Sequence, residues 1–256
     1  MTEFSDISYV VAGPVARITV TRPDKLNAYR NETADELRAA LAQAEADALI
    51  KVVVLSGEGR AFGAGYDLAT VRPDETPQLD EVLERHFNPL VVQMRRSRLP
   101  IVAAVNGPCA GAAVGIALAG DIVMMAGNAY FYEPFVGIAL VPDAGNTLFL
   151  SRMLGRVRAS GMMLLGDRIS AEQAHCWGLA WKVVEPEMFG AEVDRVAAKL
   201  ASLAPAAVAA TKRLIGAACE QGLDAQLALE RDLQGEAGRS SEMKAAIKAF
   251  FAARKG

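Results

Sequence analysis

The segment Leu99–Gly120, LPIVAAVNGPCAGAAVGIALAG, carries no charged side chain and is closed by Asp121. Twenty-two uncharged residues must be hidden somewhere, so this stretch decides what the rest of the chain can fold around. It reads as a buried strand at Ile101–Val105, a tight turn at Asn106-Gly107-Pro108, and a helix of Ala, Gly and Val from about Cys109 to Ala119. A membrane span would need a run of this length. Pro100, Asn106 and Pro108 interrupt it, however, and Ala and Gly are only weakly apolar, so a core segment is the expectation. A helix start built from Gly and Ala lets backbone or ligand come close. It also aims unpaired N–H groups and the positive end of the helix dipole at whatever sits there. An oxygen that gains negative charge during a reaction suits such a place.

The chain has 256 residues, within the range of one large domain, and 52% of them are hydrophobic, enough for a sizeable core. Net charge is −3 and no basic run stands out, which argues against nucleic acid and against anionic membrane surfaces. The N-terminal MTEFSDISYV lacks the basic and apolar regions of a signal peptide, so a cytoplasmic protein is expected. The three cysteines, Cys109, Cys176 and Cys219, read as reduced and mostly buried thiols. Two histidines without Cys or carboxylate at ligand spacing argue against a structural metal. His86 and His175 read as ordinary helix residues.

Val15–Thr21 alternates as a half-buried strand does. Asn31 is expected to cap a helix from Glu32 to about Leu49. Val52–Leu55 is a continuous apolar strand, as for a strand covered on both faces. The loop that follows it holds Gly57, Gly59, Gly63 and Gly65. A dinucleotide fingerprint would put its third glycine three residues after Gly59. Here it falls at Gly63, four residues on, so close backbone approach is the better reading. Residues 70–80 read as a polar, mobile loop that could cover a site, and a helix of about Asp80–Arg96 follows, bent or interrupted at Pro89.

Ile122–Met125 and Tyr130–Tyr132 read as strands. Asp143 then stands alone in an apolar loop that leads to a helix at Thr147–Leu154. It is either the N-cap of that helix or a desolvated carboxylate able to act as base or nucleophile, and the local sequence favours the cap. Ser170-Ala171-Glu172-Gln173 is a capping box that opens a short helix ending before Gly178. Val183-Val184 is a short strand. Beyond it come helices at about 191–203, 205–221, 223–235 and 242–253, with the Ala-rich run Ala204–Thr211 expected to be buried. A core of residues 1–200 and a helical region of residues 201–256 result.

Taken in order, several pieces resemble the enoyl-CoA hydratase/isomerase (crotonase) superfamily. They are Pro23-x-Lys25-Leu26-Asn27-Ala28, Gly59 through Leu68, Pro100 through Gly107, Gly111-Ala112, Gly120-Asp121 and Gly137 through Thr147. The resemblance covers almost the whole chain. It implies an α/β fold, a spiral of ββα units with a helical C-terminal region used in trimer or hexamer assembly. It implies acyl-CoA thioester substrates, coenzyme A being part of the substrate and no metal or other cofactor being used. The thioester oxygen would be held by the N–H groups of Tyr66 and Ala112. Coenzyme A would lie along Lys25, Leu26 and Ala28 and along Ala64, Asp67 and Leu68.

Hydratases of the family carry two glutamates. These would stand at Gly115 and Phe135, where this chain has none, and Glu133, two residues away from the second, does not match the pattern. Asp143 lies where some members place a catalytic aspartate instead, which reverses the local preference for a cap. The runs Glu84 through Val91, Leu140 through Gly145, and Ser170 through Gly178 look like the isomerases that open a ring epoxide in phenylacetyl-CoA degradation. Tyr66 and Asn146 depart from that group. The resemblance thus points to an acyl-CoA isomerase with Asp143 as acid/base. Three rivals stand beside it: a hydratase, a dehalogenase or hydrolase with Asp143 as nucleophile, and a non-catalytic binder of CoA thioesters.

Overall fold

The computed structural model describes residues 4–70 and 78–253. It opens with strands β1 (Ile7–Ala12) and β2 (Val15–Val20), an antiparallel hairpin. The sequence reading finds only the second of these, because β1 is half exposed and lacks a clean alternation. Helix α1 (Asn31–Ala46) follows. It starts one residue earlier than expected: Arg30 occupies the cap, and its backbone N–H donates to Thr33 Oγ1 at 3.0 Å. Strand β3 (Val52–Gly57) comes next, then helix α2 (Leu79–Val82), one π-helical turn (Leu83–Phe87) and helix α3 (Asn88–Arg96). The irregularity expected at Pro89 lies just before it. Proline sits in the first turn of α3, where its missing N–H costs nothing. Of the loop expected at residues 70–80, residues 71–77 lie outside the described residues.

Strand β4 (Ile101–Val105) is followed by the two-residue strand β5 (Cys109–Ala110) and only then by helix α4 (Ala112–Ala119). The helix therefore starts three residues later than the sequence suggests. Cys109 and Ala110 pair in parallel with Phe131 and Tyr132, and this pairing outweighs their helical tendency. Then come β6 (Ile122–Ala126), β7 (Tyr130–Tyr132), helix α5 (Asn146–Leu165), β8 (Ile169–Ser170), α6 (Ala171–Cys176), β9 (Lys182–Val184) and α7 (Pro186–Ala201). Helix α5 continues well past Leu154, with a non-helical Gly155 at φ 71°. Ser170 caps α6 by accepting from the Gln173 N–H at 3.2 Å.

A six-stranded sheet runs in the order β1-β2-β3-β4-β6-β9, all parallel except the opening hairpin. Its centre is covered on both faces: every residue of β4 is buried, as are four consecutive residues of β3. The three-stranded sheet β5-β7-β8 lies apart from it. The chain divides into the units Met1–Leu200 and Ala201–Gly256. The second unit holds α8 (Pro205–Ala218), α9 (Leu223–Arg239) and α10 (Ser241–Ala253), with α9 packed against both of the others. Within it Ala204–Thr211 is not buried as expected but intermediate to exposed. Cys176 and Cys219 are also exposed, and only Cys109 is a buried thiol.

Parallel strands bring their loops out at one end of the sheet, which is where ligands of such sheets bind. The loop after β3 and the turn after β4 cross there with no room for side chains. A Cβ on Gly57 would stand 2.2 Å from the Ala61 carbonyl oxygen, and one on Gly107 would stand 2.1 Å from that of Arg60. Two asparagines hold the crossing. Asn27 Nδ2 donates to the carbonyls of Glu58 (2.9 Å) and Ala61 (2.6 Å). Asn106 Nδ2 donates to those of Gly57 (2.8 Å) and Gly59 (3.0 Å). Gly107→Ala is expected to cost about 1–3 kcal/mol, the usual penalty for overpacking a rigid site. Chemical denaturation should show a lowered midpoint with an unchanged slope.

Candidate active site

Two stretches of backbone meet beyond those crossing loops. Gly65 adopts φ +84°, and a Cβ there would lie 3.1 Å from the Ala110 carbonyl oxygen and 3.6 Å from both Ala112 N and Gly111 Cα. Gly111 has φ +56° and ψ −130°, a conformation suited only to glycine, and immediately precedes α4. The neighbouring amides are engaged: Ala110 N–H donates to Gly63 O, Gly111 N–H to Tyr132 O and Asp67 N–H to Tyr29 O, each at 2.9 Å. Ala112 is the first residue of α4, so its N–H has no intrahelical acceptor. Tyr66 follows Gly65 directly, and its N–H is not among the backbone hydrogen bonds of its loop.

Both residues line one cavity of about 640 Å³ of empty space, open to solvent. Its walls are apolar: Leu68, Leu79, Val82, Leu83, Phe87, Pro134, Phe135, Ile138 and Leu140. The π-helical turn sets Leu83 and Phe87 into this wall. The Tyr66 ring meets that of Phe87 edge to face at 5.9 Å, and its hydroxyl donates to Asn31 Oδ1 at 3.4 Å. Among the described residues Asp143 is the one carboxylate of the lining.

Asp143 is not a helix cap. Gly145, at φ +84°, is the N-cap of α5, and Asp143 contributes only its backbone carbonyl, which accepts from Asn146 N–H at 2.9 Å. Its side chain is half-buried, and Oδ1 has no hydrogen-bond partner. Removal from water pushes its carboxyl up to about 6, against a smaller lowering by its own backbone N–H. Close by lies a group that the sequence pattern does not single out. Glu133 is 1% exposed, both of its carboxyl oxygens lack a partner, and burial together with the charge of Asp143 pushes it up to about 9.

The structure separates the remaining expected residues. Ala64 and Leu68 line the cavity with Tyr66, Ala112 and Asp143. Lys25, Leu26, Ala28 and Asp67 do not, and the Asp67 carboxylate is held by Arg22 Nη2 at 2.8 Å. His86 Nδ1 contacts Asp35 Oδ2 at 2.8 Å, and His175 Nδ1 faces the Ala180 carbonyl at 3.0 Å. Among the described residues no group of three or more His, Cys, Asp or Glu side chains could hold a metal ion, and no helix is long and apolar enough to cross a membrane.

The pattern of enoyl-CoA hydratase/isomerases matches residues 11–256. The chain belongs to the enoyl-CoA hydratase/isomerase family. It is 41% identical to the 1,2-epoxyphenylacetyl-CoA isomerase of Escherichia coli, over 99% of this chain and 97% of that one. It is 32% identical to the short-chain-enoyl-CoA hydratase of Clostridium acetobutylicum, over 99% and 97%. The crystal structure of an enoyl-CoA hydratase from Bacillus anthracis superposes with a TM-score of 0.93 at 27% identity, covering 97% of this chain and 96% of that one. As a family member the protein is an enzyme with the crotonase α/β fold.

This family member closes both positions at which the sequence reading looks for hydratase glutamates. A Cβ on Gly115 would stand 2.3 Å from the Ala144 carbonyl oxygen, so no longer side chain fits there. Phe135 is buried, its ring 3.6 Å from where a Gly111 Cβ would be. The contact between the two glycine loops is open to a direct test. Gly65→Ala forces an L-residue into the left-handed region, a cost of about 1–2 kcal/mol. It also crowds the Ala110 carbonyl oxygen, 3.1 Å from the added Cβ, two residues before Ala112. A folded variant is expected by circular dichroism, with a lowered Tm and turnover reduced by about 10²-fold or more, the scale of one lost oxyanion donor.

Proposed function

We propose that the protein is an acyl-CoA isomerase in which Asp143 moves a proton on the acyl carbon chain. The observation that carries this reading is Asp143 itself, the one carboxylate among the described residues of an otherwise apolar wall, with one oxygen free of any partner. A thioester makes its α-carbon acidic. Asp143 takes a proton from the acyl carbon, and the electron pair moves to the thioester oxygen. The N–H groups of Tyr66 and Ala112 stabilise that oxygen as it becomes anionic. Where a C=C adjoins the α-carbon the electron pair is shared with it, and Asp143 returns the proton to its far carbon as the double bond shifts and the thioester C=O re-forms, so the product has the substrate's mass. A carboxyl near 6 suits both halves of this cycle at neutral pH. The resemblance supports the same roles and adds coenzyme A held by Lys25, Leu26, Ala28, Ala64, Asp67 and Leu68, largely through backbone.

The rings of Tyr66, Phe87 and Phe135 favour a bulky apolar or aryl acyl group. The substrate named for the Escherichia coli relative, an epoxide of phenylacetyl-CoA, is the first to test. The closed glutamate positions weigh against hydration. Exposed apolar side chains in the second unit, among them Ile247, Phe250 and Phe251, fit a homotrimer or hexamer. A cytoplasmic setting fits the sequence reading of reduced thiols.

Asp143→Asn keeps the shape of the side chain but cannot take a proton. Exchange of the acyl α-proton with deuterated water is expected to fall by two or more orders of magnitude, about what one acid/base group supplies. Binding of the acyl-CoA and Tm should be nearly unchanged. Mass spectrometry on a panel of acyl-CoAs should show product of unaltered mass. Addition of water, release of free coenzyme A, or wild-type exchange by the variant would each overturn the isomerase reading.

A further inference from the structure

Glu133 follows strand β7 and is as buried as the core, yet neither of its carboxyl oxygens has a hydrogen-bond partner. Two other buried oxygens nearby share that condition, Asp143 Oδ1 and Asn146 Oδ1. All are acceptors, so what the cluster lacks is a donor. Gly111 ties it together. Its N–H donates to the carbonyl of Tyr132, the residue before Glu133, and its carbonyl accepts from Asn146 Nδ2 at 3.0 Å. Asn146 in turn receives the Asp143 carbonyl on its backbone N–H. Glu133, Asn146 and Asp143 thus surround the residue that positions the Ala112 N–H.

Among the described residues the titratable groups around Glu133 offer no counter-charge. Asp143 is acidic. Cys109 on β5 is a fully buried thiol that feels Glu133, and Tyr29, fully buried, feels Cys109 in turn. Arg168 lies just before β8, and its guanidinium stacks over the rings of Tyr130 and Tyr132 at 4.7 and 5.9 Å. A carboxylate buried without a cation is far costlier than a neutral acid. One proton on Glu133 turns an orphaned acceptor into the donor that its neighbours lack.

We infer that Glu133 is a positioning residue for Asp143: its protonated carboxyl supplies the one hydrogen bond that the Asp143 carboxylate lacks, beside the Gly111–Ala112 turn. The inference rests on the reading of Asp143 as the base. Its sign follows from charge. A neutral donor favours ionised Asp143, so losing the donor raises the Asp143 carboxyl further. Ionising Glu133 at alkaline pH removes the donor and sets a negative charge beside the nascent enolate.

The experiment pairs Glu133→Gln, which keeps a donor and cannot ionise, with Glu133→Leu, which has neither property. In wild type the rate of α-proton exchange should rise through about pH 6 and fall again through about pH 9. Glu133→Gln should retain the neutral-pH rate and lose the alkaline fall. Glu133→Leu should shift the acid limb up by about one pH unit, the scale of one hydrogen bond to a carboxylate, and so reduce the rate at pH 6 about fivefold. A merely structural Glu133 would change Tm and leave the profile of both variants where it was, which overturns the inference. Infrared titration of the unliganded protein provides a readout without turnover. A protonated-carboxyl band at neutral pH, absent in Glu133→Gln, is expected even if no exchange occurs and the isomerase reading fails. Persistence of that band in Glu133→Gln, or no such band in wild type, refutes the protonated Glu133. Should the Leu variant not fold, the Gln profile and the infrared band decide alone.

Discussion

Everything at this site depends on two backbones coming within van der Waals contact in a left-handed conformation that only glycine adopts without strain. Gly65 and the Gly111–Ala112 turn touch directly, and both glycines sit at positive φ. A Cβ on Gly65 would crowd the Ala110 carbonyl oxygen at 3.1 Å, and at both positions the left-handed backbone would strain any L side chain. This contact is made possible by the parallel pairing of β3 and β4, which delivers both loops to the same end of the sheet. It is secured by Asn27 and Asn106, whose amides take up carbonyls that the glycine turns leave free. Orphaned carbonyls in a buried crossing would be costly, so the two asparagines are as necessary as the glycines.

The electrostatics follow from dryness. An apolar wall removes Asp143 from much of the surrounding water, so its carboxyl rises into the range where it can both accept and return a proton near neutral pH. Glu133 lies deeper and rises further, to about 9, because it pays for burial and for the neighbouring charge of Asp143. Two carboxyls in related environments are thereby separated into one that titrates near neutrality and one that stays protonated, the arrangement by which environments assign acid and base roles. The same low dielectric strengthens the two amides that face the cavity.

Much of this was legible in the chain. Strands β2, β3 and β4 stand where alternation and apolar runs place them, and Gly63, Gly65 and Gly111 mark the close approach. The misplacements have local physical causes. Cys109 and Ala110 look helical because nothing nearby says otherwise; their strand exists through pairing with Phe131 and Tyr132, some twenty residues on. Asp143 has the composition of a cap, but Gly145 takes that place because its positive φ lets the chain turn into α5. Glu133 is legible in the chain only as a carboxylate two residues off the hydratase pattern, since its meaning comes from burial and from its neighbours. The exposure of Ala204–Thr211 shows that alanine richness alone does not predict burial.

By itself the sequence determined the periodicities, the glycines that permit positive φ, and the ordered set of motifs that marks the family, because each of these is a property of residues close together in the chain. Only the tertiary structure decided that Tyr66 and Ala112 share a cavity, that Gly115 is filled by the Ala144 carbonyl, and that Glu133 stands beside Asp143 without a counter-charge. Those are distances between segments, together with the water that such distances exclude. Neither is encoded at any single position.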